Sequence, residues 1–139
     1  MKALTKNLLI FSVSLILLTI LFRFSLSTML QNRLFFSVWI VAVAYGIIVF
    51  IMGWVFGKRD NLNLPLYDVG FRFHLATYVI CNLIGEIWYL LDLQSDYEKI
   101  RTIHLTALFW GIGLLIHFII YLITRKDAIK GIKKSEIFE

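Results

Sequence analysis

Four long apolar runs, separated by short polar connectors, take up most of the 139-residue chain: 8–22, 34–56, 71–91 and 103–123. A hydrocarbon core about 30 Å thick needs roughly 20 apolar residues in helical form, since each residue adds about 1.5 Å. The last three runs meet that length as they stand; the first meets it by continuing past Arg23 toward Met29. Lipid offers the backbone no hydrogen-bond partners, so a single segment crosses it only as a helix. The pattern predicts an all-α integral membrane protein: four transmembrane helices in an antiparallel bundle, with spans at about 7–29, 34–57, 71–92 and 103–124. Hydrophobic residues make up 60% of the chain, too many for a soluble core of this length to hide. The whole of 1–139 reads as a single membrane domain, with no stretch left for a soluble catalytic module.

Lys and Arg in short loops decide orientation. Lys2 and Lys6 precede the first run, Lys58, Arg59 and Arg72 lie between the second and third, and Arg125, Lys126, Lys130, Lys133 and Lys134 follow the fourth. Ten of the 14 basic side chains therefore share one face. The other face receives Arg23, Arg33, Lys99 and Arg101, together with Asp92, Asp96 and Glu98. Both termini are expected to be cytoplasmic (N-in/C-in), and 125–139 reads as a basic cytoplasmic tail, a helical extension at the anionic inner leaflet. The lone Cys81 lies inside the third run and reads as an inert small hydrophobe. Two early lysines, an apolar run and small residues also imitate a secretory signal. The length of the run and the lack of an Ala-x-Ala site favour a retained first helix.

The connectors differ in kind. Residues 25–33 lack Pro and Gly and read as continuations of helix ends. Residues 58–70 carry Asp60, Asn61, Asn63, Pro65, Asp68 and Gly70, which supply turn chemistry. Residues 92–102 are charged and short, as an antiparallel helix pair requires.

At about 100° per residue, the third run gathers His74, Tyr78, Asn82, Gly85, Tyr89 and Asp92 into one stripe, with Glu86 at its edge and Leu83, Ile84, Ile87 and Leu91 opposite. Such a stripe must face protein or enclosed water. On the fourth run Thr106, Trp110, Gly113, His117, Tyr121 and Thr124 share a comparable sector, with His104 on the far side. The first run presents Ser12, Thr19 and Arg23 on one face. The second carries small residues instead, Ala42, Gly46, Gly53 and Gly57, which let backbones approach closely; Gly113 does the same on the fourth. This packing serves either the four-helix unit itself or contact with another copy.

Depth counting proposes partners. Arg23 lies about 24 Å, and Glu86 about 22 Å, from the inner starts of their runs, so an Arg23–Glu86 ion pair near the outer boundary is expected. Tyr78, Asn82 and His117 fall at overlapping depths in the inner half. A hydrogen-bonded intramembrane cluster is expected there, with His74 and Tyr121 nearby. It either fixes helix register or forms a ligand or proton site. His74 and His117 differ by about 6 Å in counted depth, which argues against bis-histidine haem ligation.

Phe73, His74, Tyr78 and Asn82, followed by Trp110, Gly111, Ile112, Gly113, Leu114 and His117, resemble the bacterial 2TM domain family over about 71–125. The first two runs have no counterpart in that module. The resemblance implies a paired-helix membrane module in assembly or signalling, and with it a bacterial cytoplasmic (inner) membrane location. It implies no catalytic role.

The chain carries no HExxH-type metal motif, Gly-rich phosphate loop or nucleophile–base pair. No catalytic residue, metal or cofactor is therefore expected. The function expected is that of a small non-enzymatic membrane protein acting through helix–helix contacts, as an oligomer or as a subunit, assembly or signalling module. Its partners are then the lipid bilayer and either itself or a larger membrane complex, with no nucleic acid. The alternative is an oligomeric pore or transporter whose polar path is lined by the third and fourth runs.

Overall fold

Leu8, Phe11, Leu15, Thr19, Arg23 and Ser27 recur at steps of three or four residues, which places them on one face of a helix. In the computed structural model they form the buried face of α1 (Lys6–Gln31). Thr5 caps that helix, its hydroxyl accepting from the Leu8 N–H at 3.1 Å. Three further helices follow: α2 (Phe35–Asp60), α3 (Leu66–Leu90) and α4 (Ile100–Lys130). The structure describes residues 4–62 and 65–130, the side chains of 125–130 excepted. The expected basic tail lies outside the described residues from 131 onward.

Helices cover most of each expected span, with 34 and 91–92 falling outside them, and the connectors are shorter than the polar residues suggested. Much of 58–70 is helical: α2 runs to Asp60, and α3 restarts behind Pro65, whose φ of −62° suits a helix entry. Asp68 sits in the first turn of α3, where the helix dipole favours a carboxylate. The other two connectors turn without glycine. Arg33 (φ 58°) and Asp92 (φ 52°) adopt the left-handed conformation. Leu34 N–H bonds back to Met29 C=O at 2.9 Å, and Leu93 N–H to Trp88 C=O at 3.1 Å. Both are Schellman-type endings in which a non-glycine residue takes the strained position.

α1 packs on α2 and α3, whereas α4 rests on α3 alone among the helices. The four helices therefore form an open arrangement, with α1 and α3 central. The core is Leu8, Phe11, Leu15, Val69 and Phe73, backed by Val49, Met52, Phe56, Ala76 and Ile80. Phe11 stacks tilted on Phe73, and at the other end Trp88 reaches Ser27. Asn7 meets Asp60, and Phe22 stacks on Tyr45. Between α3 and α4, Tyr67 meets Tyr121, Tyr78 meets Ala107, and Gly85 meets Ile103.

Three helices are long and apolar enough to cross a membrane: α1, α2 and the Ile100–Thr124 part of α4. The third helix, α3, falls outside that set. At 25 residues it is long enough, but it carries Asp68, Arg72, His74 and Glu86. These side chains are tolerable because α3 lies against both α1 and α4 and gives them partners. Ile84, expected on the side away from protein, is buried: α3 uses two faces, one for each neighbour.

Candidate functional site: the polar seams of the third helix

Arg23 does not pair with Glu86. Its guanidinium lies 2.8 Å from Glu98, a residue of the connector between α3 and α4, and the two side chains are only 11% and 8% exposed. The same carboxylate accepts from Ser27 Oγ at 2.6 Å and from the Ser95 N–H at 3.1 Å. Trp88 Nε1 donates to Ser27 Oγ at 3.0 Å, and its ring centre lies 6.0 Å from the Arg23 guanidinium carbon. A second rung follows. Gln31 and Asp96 exchange two bonds at 3.0 and 3.1 Å, and Arg33 Nε donates to the Tyr97 hydroxyl at 2.7 Å. Together these contacts strap the connector onto the end of α1. Glu86 faces α4 instead, 3.0 Å from His104 Nε2, with both side chains substantially exposed. His104 is thus turned toward α3, not away from it.

The seam between α3 and α4 holds the aromatic and histidine side chains. Trp110 Nε1 donates to His74 Nε2 at 2.8 Å, and the His117 ring stands edge-on to His74 with centroids 5.4 Å apart. Tyr78 donates to the Ala107 carbonyl at 3.2 Å and lies at 90° to Trp110. Asn82 donates to the Tyr78 carbonyl of its own helix at 2.7 Å. Tyr121 stacks on Phe71 and Phe118. The expected Tyr78–Asn82–His117 cluster is therefore replaced by a Trp110–His74–His117 group, with Tyr78 beside it and Asn82 turned back on its own helix. The two histidines are neighbours across the seam although His117 reaches toward Gly70, one turn before His74.

The small residues divide into two sets. A methyl group on Gly53 would lie 3.9 Å from Phe11, and one on Gly57 would lie 3.6 Å from Val69, so both are packing positions. At Gly46 and Gly113 it would meet nothing within 4 Å, so these two pack against nothing among the described residues; Ala42 is half-buried. The close approach on α4 belongs to Gly111, where the added carbon would come 3.2 Å from the Tyr78 hydroxyl. Tyr78 is held there by its bond to Ala107. Gly113→Ala is expected to gain about 0.5–1 kcal/mol from helix propensity. Gly111→Ala is expected to be about 1 kcal/mol less favourable than Gly113→Ala, because the same gain is offset by displacing that hydroxyl. Thermal unfolding in detergent checks the difference, which should vanish in a Tyr78→Phe background.

Other polar contacts were not anticipated. Thr19, Tyr45 and Cys81 meet between three helices, with Tyr45 Oη 2.9 Å from Thr19 Oγ1 and 3.2 Å from Cys81 Sγ. Thr5 and Asn7 both donate to Asp60, and Asp68 pairs with Arg72 at 2.7 Å. Asp60 was legible only as a turn residue, because spacing alone does not show that an acid ending one helix closes over the start of another; the Asp68–Arg72 pair lies at i,i+4 within α3. Among the described residues no three His, Cys, Asp or Glu side chains come together to hold a metal.

Apolar helices joined by internal polar seams define a small helical membrane protein. Residues 68–136, just under half of the chain, match the family model of the 2TM domain. The match takes in α3 from Asp68 onward, the strapped connector and α4. No curated protein and no solved structure matches the chain.

Proposed function

We propose that this chain is a non-enzymatic integral membrane protein of a bacterial cytoplasmic membrane, with both termini cytoplasmic. It acts through helix–helix contacts, as an oligomer or as a small subunit in assembly or signalling. In this reading α3 is the fourth span, antiparallel to α4. The observation that carries the proposal is the unused outer surface of α2 and α4. Asp60 is the only buried residue of α2, and the Ile100–Thr124 stretch of α4 buries none. Both surfaces are rich in exposed Ile, Leu, Phe and Trp, and each offers one glycine, Gly46 or Gly113, with open space beside it. Small residues on apolar helices permit the close approach that drives association in lipid.

Native mass measurement after extraction in mild detergent tests the proposal. A discrete multiple of the chain, or a stable larger assembly containing it, is expected. Replacing Gly46 or Gly113 with Leu should dissociate it without unfolding the chain, because neither position touches the chain's own packing. A chain that is monomeric both in detergent and after crosslinking in native membranes would end this reading.

A further inference from the structure

Of the helix pairs that touch, α2 and α3 touch least, and between them a lateral groove of about 650 Å³ opens. That volume falls in the range of about 300–1,000 Å³ typical of small-molecule sites. Its walls are mainly apolar, with Phe11, Phe50, Trp54 and Phe73 prominent, and Gly53 and Gly57 keep the floor of its α2 side low between Phe50, Trp54 and Lys58. Along α2 it extends from Val49 to Asn61, about 18 Å at helical rise. One leaflet of hydrocarbon is about 15 Å deep. Polar groups stand at both ends of that length, Lys58 and Asn61 at one and His74 and Thr77 toward the other, with aromatic rings between. Lys58 is exposed and has no ion-pair partner among the described residues.

We propose that this groove holds one anionic phospholipid of the bilayer, with its phosphate at Lys58 and Asn61 and one acyl chain laid over Gly53 between Phe50 and Phe73. The length, volume and apolar lining fit a single chain of one leaflet. The cation at the polar end selects the headgroup, because a basic residue at the membrane surface attracts anionic lipid. The inference rests on the membrane reading above, since only a bilayer brings such an amphiphile to the groove.

The test reconstitutes the full chain in vesicles of equal parts phosphatidylglycerol and phosphatidylcholine, then counts retained lipid by native mass spectrometry. One retained lipid is expected, with phosphatidylglycerol preferred about fivefold, the ratio one lysine near the surface supplies. Lys58→Glu should abolish the preference, and Gly53→Leu should abolish retention of either lipid by filling the groove. No retained lipid, equal retention of both headgroups, or a preference that survives Lys58→Glu would overturn the proposal. If Gly53→Leu does not fold, the exposed Lys58 variant decides alone. A chain stripped from membranes by alkaline carbonate would instead overturn the membrane reading itself, a result distinct from a membrane-resident chain that retains no lipid.

Discussion

Glu98→Ala is expected to destabilise the protein by about 3–5 kcal/mol, the cost of removing one member of a buried ion pair. The substitution leaves the Arg23 guanidinium, 11% exposed, without its counter-ion. It also deprives Ser27 Oγ and the Ser95 N–H of their acceptor. Arg23→Met with Glu98→Met together should cost clearly less than Glu98→Ala alone, because a buried pair replaced by apolar groups of similar size leaves no charge behind. Glu86→Gln provides the contrast. Its pair with His104 is open to solvent, and exposed pairs contribute about 0–1 kcal/mol. The measurement is unfolding in detergent for these three variants, with the single Arg23→Met and Glu98→Met variants completing the cycle, beside the wild-type protein. Additive losses in the Arg23/Glu98 cycle, or a Glu86→Gln loss matching that of Glu98→Ala, would show that the strap is not what holds the connector.

That contrast also marks where the sequence was readable and where it was not. The polar face of α1 was visible from the spacing of Ser12, Thr19 and Arg23, and Thr19 and Arg23 are indeed buried. The partner of Arg23 was misplaced because depth counting treats a connector as lying beyond the bundle. Charge counting had already put Glu98 on the same membrane face as Arg23. What spacing could not supply was the left-handed turn at Asp92, which folds the connector back over α1. The two histidines were read at different depths, and His117 does reach toward Gly70, one turn before His74, yet their rings still meet. The register of the pair is set by Tyr67 on Tyr121 and Phe71 on Phe118. On α4 the polar sector was also read slightly off in rotation. Bulky Tyr78 needs a glycine opposite it, and Gly111 faces it where Gly113 does not.

Phe11→Ala is expected to cost about 3 kcal/mol, the lower end of the range for a buried phenylalanine. The low end applies because helices leaving one another in lipid exchange protein contacts for acyl chains, so little transfer energy is at stake. What remains is the void and the lost packing. Phe11 is 1% exposed; its ring lies 4.9 Å from that of Phe73 and 6.4 Å from that of Phe56, centroid to centroid. Truncating it therefore loosens α1 from both neighbours at once. Phe36→Ala removes the same atoms from a side chain that is 79% exposed and is expected to change stability by less than about 0.5 kcal/mol. The pair separates position from hydrophobicity, which composition cannot do in a chain this apolar. Equal losses for the two variants, read from thermal unfolding in the same detergent, would mean that the Phe11 contacts do not hold α1 in place. A large gap in the predicted direction locates the cohesion of the protein in the contact of α1 with α2 and α3, and leaves the outer faces of α2 and α4 free for lipid or for another helix.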